Sequence, residues 1–152
     1  MGLSVLVNFA SADKCLLKVG VVPQFEQRRL LATWDPILSI LQDKTNCSYN
    51  LVGSKSISEF EQKFLAGDFD LAYLNPYHLI MANKAQGYLP LARSGEKKLL
   101  GILVVRSDSP IADVKELDGK EIAFPSPNAL GASLLMRAEL ALKHGVTIKP
   151  RY

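Results

Sequence analysis

Apolar and polar positions follow two rhythms along this chain. Residues 16–22, LLKVGVV, form a nearly continuous apolar run that stops at Pro23 and predicts a strand buried on both faces. From Arg28 to Lys44 the rhythm becomes helical, with Leu30, Leu31, Trp34, Ile37, Leu38 and Leu41 on one face. Pro36 lies inside that stripe and either opens the helix or kinks it. Residues 49–52 predict a second strand, and Gly53, Ser54 and Lys55 a loop. Ser56 and Glu59 make a capping box, and Ile57, Phe60 and Phe64 give the helix behind it a buried face. Gly67 ends that helix as a left-handed cap. A third strand is predicted over 69–74. Asn75 then caps a helix, Pro76 suits its first position, and Gly87 stops it after Gln86. Three strand–helix units in succession imply right-handed crossovers and a parallel-rich sheet, an α/β fold.

The rhythm changes after Gly87. Residues 88–93 and 99–106 are strand-like and joined by the polar turn 94–98. A short helix over 113–117 and a strand over 121–124 follow. Asn128 is placed to cap a long helix that ends at His144 before Gly145, with Leu130, Leu134, Leu135, Ala138, Ala141 and Leu142 as its broad apolar face. Residues 146–148 begin another strand. The chain therefore holds one complete α/β unit and the start of a second. One strand cannot cover the apolar face of that last helix. The rest of the unit is missing or another chain supplies it, and the expected consequence is either a homo-dimer through the incomplete second unit or association with the absent remainder.

Composition narrows the function. With 48% hydrophobic residues over 152 positions the chain can bury a core, so disorder is excluded. The net charge of +3 comes without any dense basic run, since Arg28-Arg29 and Lys97-Lys98 are isolated pairs. A nucleic-acid partner is not expected. No apolar run reaches membrane-span length. Residues 3–9 are apolar, and Ala10-Ser11-Ala12 follows with the small-x-small pattern of a signal-peptidase site. Residues 1–12 thus read as a signal-peptide remnant and the protein as exported, with an ordinary first strand as the alternative. Cys15 and Cys47 each precede a predicted strand. If those strands are parallel neighbours, both sulfurs lie at one end of the sheet and can be bridged; two free thiols are the other reading. No Cys/His cluster points to a metal, no cofactor motif is present, and no acid–base or nucleophile constellation points to an enzyme.

Two stretches carry the functional signal, FDLAYLNPYH at 69–78 and FPSPNALGASLL at 124–135. Each is a short apolar strand that turns into a helix start, where unpaired N–H groups and the positive end of the helix dipole converge. Two such junctions can grip a small anion between them.

These stretches, with GVVPQFEQRRLL, SISEFEQKFLAGDFDLAYLNPYH and GILVVRSDSPI, resemble the phosphonate-type substrate-binding proteins of ABC importers, the PhnD-like branch of the type II periplasmic-binding-protein fold. The resemblance runs over nearly all of 17–152. It implies a three-layer αβα lobe over 13–98, a crossover strand and hinge over 99–110, and an incomplete second lobe over 111–152. It also implies a periplasmic protein that binds a small anionic ligand in an interlobe cleft and presents it to an ABC permease at the membrane. Rival readings on the same fold are a ligand-sensing input module of a signalling protein and an enzyme. Gln24 and Phe25 lie at the carboxyl edge of the first strand, where open α/β sheets bind ligands. Ser56 and Asn75 are helix caps that can also face a cleft, and Tyr77 and His78 occupy the first turn behind Asn75. Many phosphonate binders carry a Ser-Thr-Ser cluster at the second-lobe helix start. Here that place reads Asn128-Ala129-Leu130-Gly131-Ala132-Ser133. Only Ser133 has a hydroxyl, so contacts from Asn128, Gly131 and Ala132 would be mostly through the backbone, and a ligand other than a simple alkylphosphonate is expected.

Overall fold

The computed structural model describes residues 15–93, 95 and 99–152. The signal-peptide segment and most of the turn 94–98 lie outside those residues. Three parallel strands form the first sheet: β1 (Leu16–Val21), β2 (Ser48–Val52) and β3 (Leu71–Tyr73), in the order β2-β1-β3. In register, Leu16 pairs with Ser48 and Val19 with both Leu51 and Leu71. Side chains of β1 leave the sheet on alternate sides, and each side meets a helical layer. Val19 and Val21 pack against Leu38, Leu30, Trp34 and Leu41 of α1 (Gln27–Thr45). On the opposite side Val22, just past the strand, joins Phe60 and Phe64 of α2 (Ile57–Ala66) and Ala82 of α3 (Pro76–Gln86). This is the expected αβα sandwich.

Local signals set most helix ends. Ser56 Oγ accepts from the Glu59 N–H, Asn75 Oδ1 accepts from the His78 N–H, and Gly67 and Gly87 take the left-handed conformation that stops α2 and α3. α1 ends differently, with Asn46 at φ 57°, a conformation Asn tolerates better than other non-glycine residues. Pro36 does not open α1, which runs on through it to Thr45. The two cysteines are joined, with their Cα atoms 4.6 Å apart, and the Ser48 N–H donates to the Cys15 carbonyl beside them. The bridge ties the amino ends of β1 and β2 across a sequence separation of 32. A crosslink over a loop of that size contributes about 2–4 kcal/mol by restricting the unfolded chain.

The second part of the chain departs from the sequence expectation at three points. Residues 88–93 and 99–106 form no strand ladder among the described residues. Tyr88 packs onto the first core and Leu103 onto Leu117, Leu140 and Val146, while Ile102 and Val104 are 80% and 84% exposed. Their apolar alternation has no neighbouring strand to pair with, and a strand is defined by its partner as much as by its sequence. The helix expected from 128 to 144 opens as a π-helical segment, Leu130–Leu135, and continues as α4 (Met136–His144). Its buried residue is Leu140, whereas Leu142, assigned to the apolar face, is 86% exposed. Finally, Val146 and Ile148 serve as core residues in a loop, and the strand begins later, as β5 (Lys149–Arg151), parallel to β4 (Glu121–Ala123).

In the first sheet Gly20 of β1 lies under the ring of Phe69, which is stacked on Phe60 at 5.5 Å. A Cβ at position 20 would come within 2.5 Å of two Phe69 ring atoms. Gly20→Ala is expected to destabilise the protein by about 1–3 kcal/mol, seen as a lower urea midpoint with an unchanged slope. An unaltered midpoint would mean that the ring has somewhere else to go.

Candidate functional site

β1 and β3 are neighbours, but their following helices lie on opposite faces of the sheet. Strand neighbours whose following helices diverge in this way mark the usual ligand position, at the carboxyl edge of such sheets. Gln24 turns back there, its N–H bonded to the Val22 carbonyl at 2.9 Å. Phe25 is exposed and carries the Arg29 guanidinium 4.3 Å above its ring, a cation–π contact. Ser56 is engaged as a cap, and Glu59 reaches back to the Lys55 N–H at 3.0 Å. Tyr77 is half-buried in the first turn of α3.

The structure brings three of the expected residues into one polar cluster. Asn75 caps α3 through the His78 N–H at 2.9 Å. The His78 ring is fully buried against Phe60 and Phe64. Its Nε2 lies 3.0 Å from Glu61 Oε1, and the Asn128 amide donates to Glu61 Oε2 at 3.3 Å. A carboxylate oxygen at 3.0 Å requires the proton on Nε2, so Nε2–H donates to Glu61 and Nδ1 remains a bare acceptor without a partner. The Asn75 amide nitrogen, 3.4 Å from the same Nε2, is then only a neighbour. Among the described residues, Asn128 to Glu61 is the one hydrogen bond joining residues 15–93 to residues 99–152.

Asn128 was expected to cap its helix and does not. Its side chain turns to Glu61, and Ala129 precedes the π segment without a side-chain cap. The turn is held instead by Ser126, whose Oγ accepts from the Asn128 N–H at 3.2 Å, and by Arg137, which donates to the Pro127 and Ser133 carbonyls. The N–H groups of Ser133 and Leu134 both go to the Ala129 carbonyl. The first-turn N–H groups ahead of them have no intrahelical partner. Gly131 is buried, with Leu99 packed over the place where a Cβ would stand and its carbonyl against Gly101. Ala132 is exposed. The Ser133 hydroxyl is fully buried with no hydrogen-bond partner.

Two residues the sequence reading did not select belong to this edge. Ser54 follows β2, and its Oγ is buried and unpartnered beside a cavity of about 20 Å³ lined by Gln27 and Gly53. Its position directly after a strand was a usable signal. Glu61 had none: it sits in mid-α2, and its partners lie 17 and 67 residues away. Among the described residues no three His, Cys, Asp or Glu side chains gather as a metal site.

Residues 19–151 match the family described as ABC transporter, phosphonate, periplasmic substrate-binding protein. The phosphate-import protein PhnD of Mycolicibacterium smegmatis is 23% identical over 137 residues, an alignment covering 86% of this chain and 42% of that protein. The crystal structure of a binding-protein component of an ABC phosphonate transporter from Pseudomonas aeruginosa superimposes with a TM-score of 0.67 at 14% identity, over 89% of this chain and 47% of that one. The fold is that of a periplasmic binding protein. The chain spans less than half the length of either.

The cluster has a pH signature. Burial lowers the His78 pKa from its ordinary value, and the nearby Glu61 carboxylate and its hydrogen bond offset only part of that effect. The unfolded chain therefore takes up a proton at about pH 6.5 that the folded chain still refuses. Stability attributable to His78 is complete above that pH and falls as pH drops toward the depressed folded value. Urea midpoints measured from pH 8 to pH 5 are expected to decline below about pH 6.5, and His78→Gln should flatten that decline. An equally steep decline in the variant would assign it to another group.

Proposed function

The chain belongs to the family of ABC-transporter phosphonate periplasmic substrate-binding proteins, and from that premise we propose that it binds a small oxyanion between its two strand–helix units. The anion is a phosphonate, phosphate or related compound. One observation carries this reading: the starts of α3 and of the π segment, from separate parts of the chain, meet through Asn75, His78, Glu61 and Asn128. Helix starts offer free N–H groups and a positive dipole end, and an anion placed between two of them satisfies both. The unpartnered Ser133 hydroxyl, next to the second start, supports a polar guest there. Gln24, Phe25, Ser56 and Tyr77 line the first-unit edge, and Gly131 and Ala132 the second. The protein releases its ligand unchanged to a membrane permease. Export is supported by the Cys15–Cys47 bridge, since such bonds persist in oxidising compartments.

A second copy completes the assembly. Leu142 and the outward residues of 99–105 leave apolar surface uncovered, and surface of this kind normally finds a partner.

Calorimetric titration of the chain with phosphonates, phosphate, phosphite and a neutral sugar tests the ligand class. Heat from at least one anion and none from the sugar is expected, and sugar binding with no anion response would refute the reading. Light scattering after size exclusion tests the pairing, with the mass of a dimer expected; a monodisperse monomer would count against it.

A further inference from the structure

The site contains an apparent contradiction. A carboxylate, Glu61, stands where two helix starts converge to receive an anion, and its side chain is only 13% exposed. It is not a stray surface charge. His78, itself fully buried, holds Oε1 at 3.0 Å, and Asn128 holds Oε2 at 3.3 Å. The Phe60 and Phe64 rings fix the imidazole in turn. A side chain positioned from both ends by groups of two separate units is set for a purpose other than solvation.

An ionised carboxylate only accepts hydrogen bonds, and each of its oxygens has room for a second donor. A guest that is purely an acceptor gains nothing from it and meets a like charge in a partly dehydrated site. A guest that carries its own donor turns the same charge into a strong hydrogen bond. We propose that Glu61 is a specificity-determining residue of the anion site proposed above, selecting oxyanions that bring a hydrogen-bond donor. This rests on that reading and names its ligand class more narrowly. Phosphate and phosphonate monoanions qualify, because each keeps a P–OH. Sulfate and simple sulfonates at neutral pH keep no acidic proton and are rejected. An ammonium group on the guest supplies the same donor chemistry from a different atom.

Glu61→Gln separates this role from a structural one. Glutamine has nearly the same shape, can still accept from His78 or Asn128, and adds an N–H that a fully ionised oxyanion can use. Amide NMR titrations of the 152-residue chain at constant ionic strength would compare inorganic phosphate, sulfate and 2-aminoethanesulfonate. The wild-type chain is expected to bind phosphate at least about tenfold more tightly than sulfate, a typical margin for one mispaired polar group. Binding of 2-aminoethanesulfonate as tight as phosphate identifies the ammonium as an accepted donor; binding as weak as sulfate restricts the donor to P–OH. Glu61→Gln should bring sulfate to within about threefold of phosphate, chiefly by strengthening sulfate, and Glu61→Asp should keep the preference. Equal affinities for phosphate and sulfate in the wild-type chain, or an unchanged ratio in Glu61→Gln, would overturn the proposal while leaving an anion site in place. Saturable binding of none of the three would instead overturn the anion site itself, and this assignment with it.

Discussion

The packing of Phe69 over Gly20 is the contact on which the rest of the first unit depends. It brings the loop before β3 down onto the central strand, and Phe60 stacks on the same ring. Phe60 and Phe64 are fully buried, and burial of side chains this large is worth about 1.5–3 kcal/mol each. The same two rings enclose His78. Core and site are therefore continuous. The aromatic cluster fixes the imidazole, the imidazole fixes Glu61, and Glu61 reaches the second unit. The Tyr88 hydroxyl, bonded to the Phe69 carbonyl, closes the cluster from the far end of α3.

Charge at the site is arranged against the simplest expectation for an anion binder. Helix starts supply positive potential, and the Arg137 guanidinium sits on the Pro127 and Ser133 carbonyls of the second one, yet the carboxylate of Glu61 stands between the two starts, held by His78 and Asn128. Burial keeps His78 from becoming a compensating cation, because desolvation outweighs the attraction of Glu61. The site thus combines acceptor and donor character, with backbone N–H groups on one side and a carboxylate on the other. The proposed preference for donor-bearing oxyanions draws on this pairing.

The second unit shows what a strand sequence does without a neighbour. Residues 99–106 have the alternation of a strand, and Leu103 takes its place in the core with Leu117, Leu140 and Val146. Ile102 and Val104 face outward. The two-stranded sheet of β4 and β5 is small, and its strands carry Glu121 and Arg151 as an exposed ion pair rather than a second apolar layer. Gly101 lets the extended segment lie against the π-helical turn, where a methyl group would collide with the Gly131 carbonyl, and a methyl on Gly131 would press on Leu99.

What the sequence determined alone is what neighbouring residues settle among themselves. The caps at Ser56 and Asn75, the left-handed stops at Gly67 and Gly87, and the parallel αβ order follow from side chains acting within a turn or two of their own position. The resemblance to a solute-binding family was legible in the same local motifs. Tertiary structure decided the rest. Whether Cys15 meets Cys47 depended on β1 and β2 pairing with their amino ends level. Asn128 does not cap because the helix start falls at Ala129, while its amide donates to a carboxylate from far along the chain. Glu61 carries no local signature, since its meaning arises only where α2, α3 and the π-helical turn converge. A contact between distant residues is fixed by how elements pack, and no pattern within a single element encodes it.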